Sequence, residues 1–150
     1  MWLFRYTKTL NCRHILSYED SLMTPEKVEF KRVGAPKAIE SEHYAFVTVK
    51  TTLDGEPSSD WIECFKHPSD FIPNEADPSK ASVKGNCITF TSFRSNVRTN
   101  AQWMDKYVQQ ANECYKTIIA KHKTEEKSRR KREQAEKEEL DKINESLKDL

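Results

Sequence analysis

Glycine is scarce in this chain: Gly34, Gly55 and Gly85 are the only three in 150 residues. They cannot assemble a GxGxxG or GxxxxGKS/T loop, which uses glycine to bring backbone N–H groups close to a phosphate. Phosphate-cradling chemistry is therefore disfavoured. No apolar run approaches the roughly 20 residues needed to cross a bilayer as a helix. The apolar opening Met1-Trp2-Leu3-Phe4 is interrupted by Arg5 and Lys8, too early for the hydrophobic stretch of a secretory leader. An excess of one charge is also missing. The chain has 25 Lys and Arg against 24 Asp and Glu, a net charge of +1, so no global field favours nucleic acid or an anionic membrane. HExxH and nucleophile-elbow patterns are absent. Cys12, Cys64, Cys87 and Cys114 lie far apart without a CxxC pair. With no leader in view, reduced thiols in a cytoplasmic protein are the expectation.

What the chain does have is a long C-terminal helix of two unlike halves. Thr99-Asn100-Ala101-Gln102 fits a capping box. From there Met104, Tyr107, Val108, Ala111, Tyr115, Ile118, Ile119 and His122 fall on one broad face at 100° per residue, wide enough to lie on a sheet. Trp103 and Cys114 border it. Beyond His122 the stripe stops: residues 123–150 hold 18 charged residues in 28, nine of each sign. Glu125–Arg129, Glu126–Arg130, Glu133–Lys137 and Glu138–Lys142 are i,i+4 pairs with the acid first, the better orientation. Leu140, Ile143, Leu147 and Leu150 then follow 3-4-3 spacing. That covers about one and a half heptads, too few for a coiled coil. It is also out of phase with the heptad register of Met104, Tyr107, Ala111, Cys114 and Ile118.

Ahead of the helix the pattern is mostly strand. Trp2, Phe4 and Tyr6 alternate over 2–10, and 28–33 is a short strand candidate with Val28 and Phe30 on one face. The strongest strand is 43–53. Ala45, Val47, Val49, Thr51 and Leu53 share one of its faces, and Tyr44, Phe46 and Thr48 share the other. Both faces are partly apolar, as in a central strand. Asp54-Gly55 marks a turn, and 60–66 reads as the returning strand of an antiparallel hairpin. Residues 66–84, with Pro68, Pro73 and Pro78, form a long irregular loop pinned by Phe71 and Ile72. Residues 87–93 form another strand.

The fold class expected is α+β. An antiparallel sheet of four or five strands is packed by the N-terminal half of the long helix, whose charged second half protrudes. This gives a globular domain over 1–122 and a helical extension over 123–150.

The sequence assigns no catalytic, cofactor-binding or metal-ligating residue. Cys12-x-His14 with Cys64-x-x-His67 would make a Cys2His2 set, but the first spacing is tight for structural zinc and Cys64 reads as a strand residue packing inward. Cys87 beside His43 could form a nucleophile pair, and Glu63, Asp70 and Glu75 could supply acid and base. Nothing in the sequence selects these over core cysteines and solvated carboxylates, and no small-molecule substrate is evident.

The favoured function is a non-catalytic protein-interaction or scaffolding module that binds a partner or self-associates through Leu140, Ile143, Leu147 and Leu150. The second reading is an electrostatic binder of nucleic acid or acidic lipid through Lys127, Arg129, Arg130, Lys131 and Arg132. It is weakened by the acidic stretch that follows and by the absence of aromatics in the tail. A third places a ligand or enzyme site under loop 66–84. Tyr44, Phe46, Trp61 and Phe71 are candidates for an exposed aromatic face that docks a partner.

Overall fold

The computed structural model describes residues 26–39, 44–70 and 76–148. Four strands form one antiparallel sheet in the order β1-β2-β4-β3: β1 (Arg32–Ile39), β2 (Phe46–Leu53), β3 (Ser82–Lys84) and β4 (Cys87–Phe93). Helix α1 (Ser59–Lys66) connects β2 toward β3, and helix α2 (Val97–Leu147) ends the described chain. This is the expected α+β architecture. The strand over 2–10 lies outside the described residues.

The alternation in β2 sorts its side chains as its sequence predicts. Val49, Thr51 and Leu53 are buried under the helices, whereas Lys50 is exposed on the opposite face. β4 repeats the pattern with Ile88, Phe90 and Ser92 inward. The register pairs Phe46 with Phe93, Thr48 with Thr91, Lys50 with Thr89 and Thr52 with Cys87. The outer face of the two central strands is therefore phenylalanine at one end and mainly threonine beyond. β1 carries an irregularity between Val33 and Lys37, where Gly34 takes a positive φ of 73°, a conformation that glycine adopts without steric cost.

Residues 60–66 are not a strand. Ser58 caps α1 by accepting the Trp61 backbone N–H at 3.3 Å, and Trp61, Cys64 and Phe65 are its buried residues. Those positions are spaced i, i+3, i+4, the period of a helix face. A seven-residue window of mixed aromatics satisfies period two as well, and the Ser-Ser-Asp start decides for a helix. The hairpin expected across 54–59 is consequently absent, and the partners of β2 are β1 and β4. Two further boundaries shift. Residues 28–31 precede β1 instead of opening it. The loop 66–84 holds a 3-10 turn (Pro78–Lys80), capped by Asp77, and then β3. The capping box at Thr99 is not used: α2 starts at Val97, with Asn96 at its N-cap making no side-chain cap bond.

Met104, Tyr107, Val108, Ala111 and Tyr115 of α2 are buried in a core shared with Trp61, Phe65, Val49, Leu53, Ile88 and Phe90, and Ile118 and Ile119 pack at its lower edge. Aromatic contacts continue inside it: Phe30 meets Trp61 edge-on at 5.3 Å and Phe65 stacks on Trp61 at 5.5 Å between ring centroids. Two links fasten α1 to α2. Cys64 is disulfide-bonded to Cys114, which overturns the expectation of reduced thiols; disulfides persist in oxidising surroundings. The second link is Asn112, whose Oδ1 accepts both the Trp61 Nε1–H at 2.8 Å and the Phe30 N–H at 3.0 Å, while its Nδ2 donates to the Phe30 carbonyl at 2.9 Å. One amide thus replaces a sheet neighbour for the backbone at Phe30.

Asp54 fastens the same entering segment from the sheet side. It accepts the Lys31 N–H at 3.0 Å and meets the Lys27 ammonium at 2.9 Å. The Lys31 N–H first, and the Lys27 bond with it, hold the carboxyl below its ordinary range despite partial desolvation. Because the folded state binds this proton more weakly than the unfolded chain, the contribution is complete above the usual carboxylate range and is lost as pH falls through the depressed folded value. An Asp54→Asn variant should be less stable at pH 7. Its difference from the parent should shrink on acidification, as read by urea midpoints at pH 7 and below pH 3.

Candidate functional site

Helix α2 is continuous for 51 residues, and its second half separates from the fold. Every described residue from Ala120 to Lys148 is exposed. On this arm Leu140, Ile143 and Leu147 are 54%, 49% and 55% exposed. Their 3-4 spacing puts them on one side of the helix, with no described element of the fold against them. Leu150 lies outside the described residues. The arm's charges pair partly as expected. Arg130 meets Glu126 at 2.6 Å, but Arg129 turns to Glu133 at 3.4 Å and Glu125 to Lys121 at 3.9 Å. Gln134 donates to Glu138 at 3.0 Å.

The basic run does not form one patch. Lys127, Arg130 and Lys131 share a flank with Lys123 and Glu126. At 100° per residue Arg129 and Arg132 turn to other sides. Arg129 and Arg130 are already opposite Glu133 and Glu126, which leaves Lys123, Lys127 and Lys131 as the cations of that flank without a carboxylate among the described residues.

The aromatic candidates are not brought together. Trp61 is 0% exposed in the core, because the helical turn at 59–66 points it inward. Phe71, with Ile72, lies outside the described residues. Tyr44 is 92% exposed and stacks under the Arg94 guanidinium at 5.4 Å. Phe46 lies against Phe93 on the outer sheet face, with ring centroids 4.3 Å apart. Phe93 is 38% exposed. Phe46 and Phe93 thus form a smaller aromatic pair on this face, and Phe93 is the member missed as a surface residue. The β4 alternation, with Ile88 and Phe90 opposite Phe93, could have placed it there.

The residues weighed for chemistry are dispersed. Cys64 is taken by Cys114, so it cannot join His67 as a metal ligand. His67 instead lies 3.5 Å from the exposed Glu63. Cys12, His14, His43 and Glu75 are outside the described residues. Asp70 accepts a hydrogen bond from Gln110 at 2.6 Å, tying the start of loop 66–84 to α2. Free Cys87 lies half-buried on β4 beside the Asn86 amide oxygen at 3.4 Å. The Tyr107 hydroxyl is buried without a hydrogen-bond partner; burial first, then the charge of Asp77, raises its pKa.

A groove of about 510 Å³ runs between residues 29–34 and α2. Its polar wall is spent on internal contacts: Arg32 grips Asp105 through two bonds of 2.8 Å, and Lys116 bridges Glu29 at 2.6 Å and Glu113 at 3.0 Å. Lys116 lowers the pKa of Glu29 through that bond. The groove is a braced seam between elements.

Among the described residues no helix is long and apolar enough to cross a membrane. No protein-family model, curated protein or solved structure matches this chain.

Proposed function

We propose that the protein is a non-catalytic interaction module whose helical arm, residues 123–150, pairs with another helix, either from a second copy or from a protein partner. The observation that supports this is the exposed apolar side formed by Leu140, Ile143 and Leu147 at the far end of an otherwise charged helix. A charged helix needs no such residues for solubility. Three large aliphatics in register gain free energy only when covered, each by roughly 1.5–3 kcal/mol if fully buried. The described domain ends its own packing at Ile119, about 30 Å earlier at 1.5 Å per residue, so none of its described residues covers them.

Light scattering and crosslinking of the full chain, beside a Leu140→Glu/Ile143→Glu/Leu147→Glu variant, test the reading. The parent should exceed 17.6 kDa at tens of micromolar or crosslink to a defined partner, and the variant should lose that association with its circular dichroism retained. A variant identical to the parent in mass and in crosslinked products would overturn the proposal.

A further inference from the structure

The outer face of the sheet carries a second site that owes nothing to the arm. Beyond the Phe46–Phe93 end, Lys37 of β1 lies directly opposite Lys50 of β2, and Lys84 of β3 borders Cys87. All three lysines are exposed; Arg94, beside Tyr44 just past β4, is exposed at the end of the sheet, where it lines a groove with Ala101 and Asp105 of α2. Like charges directly opposite on neighbouring strands destabilise a sheet. Yet none of the four cations meets a carboxylate among the described residues, although surface cations elsewhere on the domain do so repeatedly. The described strand residues of this face include no Asp or Glu. Lysine pairs set opposite one another without an acid form a ready receptor for a polyanion.

The aromatics define which polyanion. Phe46 is four residues from Lys50, about 13 Å along an extended strand. An exposed ring platform therefore sits within one or two nucleotides of paired ammonium groups, with the hydroxyls of Thr48, Thr91 and Thr89 between them. Aromatic rings on an open four-stranded sheet can stack unpaired bases while cations follow the backbone. A duplex hides its base faces, and a phosphorylated lipid surface has none to stack. From this juxtaposition we infer that the outer sheet face binds single-stranded nucleic acid, with bases on Phe46 and Phe93 and phosphates at Lys37 and Lys50.

The test is fluorescence anisotropy of the full chain with labelled 10-mers of deoxythymidine and of uridine, with a duplex of equal length and inorganic polyphosphate alongside. Both single strands should bind at least tenfold more tightly than the duplex, and their ratio separates DNA from RNA as the source. Phe46→Ala/Phe93→Ala should weaken binding by about tenfold or more. Lys37→Gln/Lys50→Gln should weaken it and reduce the slope of log K against log salt by about 1.4, at 0.7 per single-strand phosphate contact. The lysine variants change only exposed side chains, so they keep the test decisive if the double alanine variant fails to fold.

Three results would overturn the inference. The first is no anisotropy change at 100 μM protein. The second is equal affinity for duplex or polyphosphate. The third is binding that survives the lysine variant and disappears on Arg129→Glu/Arg130→Glu/Arg132→Glu, which would assign the contact to the arm.

Discussion

Replacing Asn112 by alanine should lower the free energy of unfolding by about 3–5 kcal/mol. The change strips partners from three buried groups together: the Phe30 N–H, the Phe30 carbonyl and the Trp61 indole N–H. Each group left unpaired in the interior costs about 1–3 kcal/mol. The site is 8% exposed, which lets water recover only part of the loss. Asn112→Asp separates hydrogen bonding from volume. It keeps both acceptor bonds but sets a carboxylate oxygen against the Phe30 carbonyl, so its carboxyl pKa should rise in the folded state. A raised folded pKa makes the variant gain stability as pH falls, opposite to the acid response at Asp54. Urea midpoints across pH read both effects. An alanine variant within 1 kcal/mol of the parent would mean that Asn112 does not hold this network.

Reduction of Cys64–Cys114 should cost about 4 kcal/mol. The bond closes a loop with a sequence separation of 50 residues, and chain-entropy estimates for loops of 15 to 100 residues run from about 3 to about 4.7 kcal/mol. Denaturation with and without dithiothreitol should separate by that amount, and Cys114→Ser should match the reduced parent. Thiol titration provides an independent check, since reduction must release two further thiols. If the unreduced protein already titrates every cysteine, the link between α1 and α2 is not covalent and the expected shift disappears.

These two predictions concern features that sequence reasoning missed, and the reason is shared. Asn112 and Cys114 sit on the border of a helical stripe that was legible from Met104 to Ile119, but their partners belong to α1 and to the segment before β1. Misassigning 60–66 as a strand removed α1, and with it any cause to bring Cys64 near Cys114. Period two and period 3.6 are hard to tell apart over seven residues; the Ser58 cap was the signal that could have decided. β2 and β4, with alternation over seven or eight residues, were legible down to individual faces. β1 was not, because its irregularity at Gly34 breaks the period inside the strand. On the arm, the exposed Leu140, Ile143 and Leu147 followed from spacing alone. The cations of the outer sheet face did not, since Lys37 and Lys50 meet only through strand order and register.

The uninterrupted length of α2 also governs how the molecule moves through solvent. Fifty-one residues at 1.5 Å each make a rod of about 76 Å, whereas a compact body of about 120 residues has a radius of gyration near 14 Å. More than a third of that rod extends past the last packed residue. Its drag should make a lone molecule sediment slowly and leave a sizing column early, at the position of a much heavier sphere. Elution volume alone would therefore count one molecule as two.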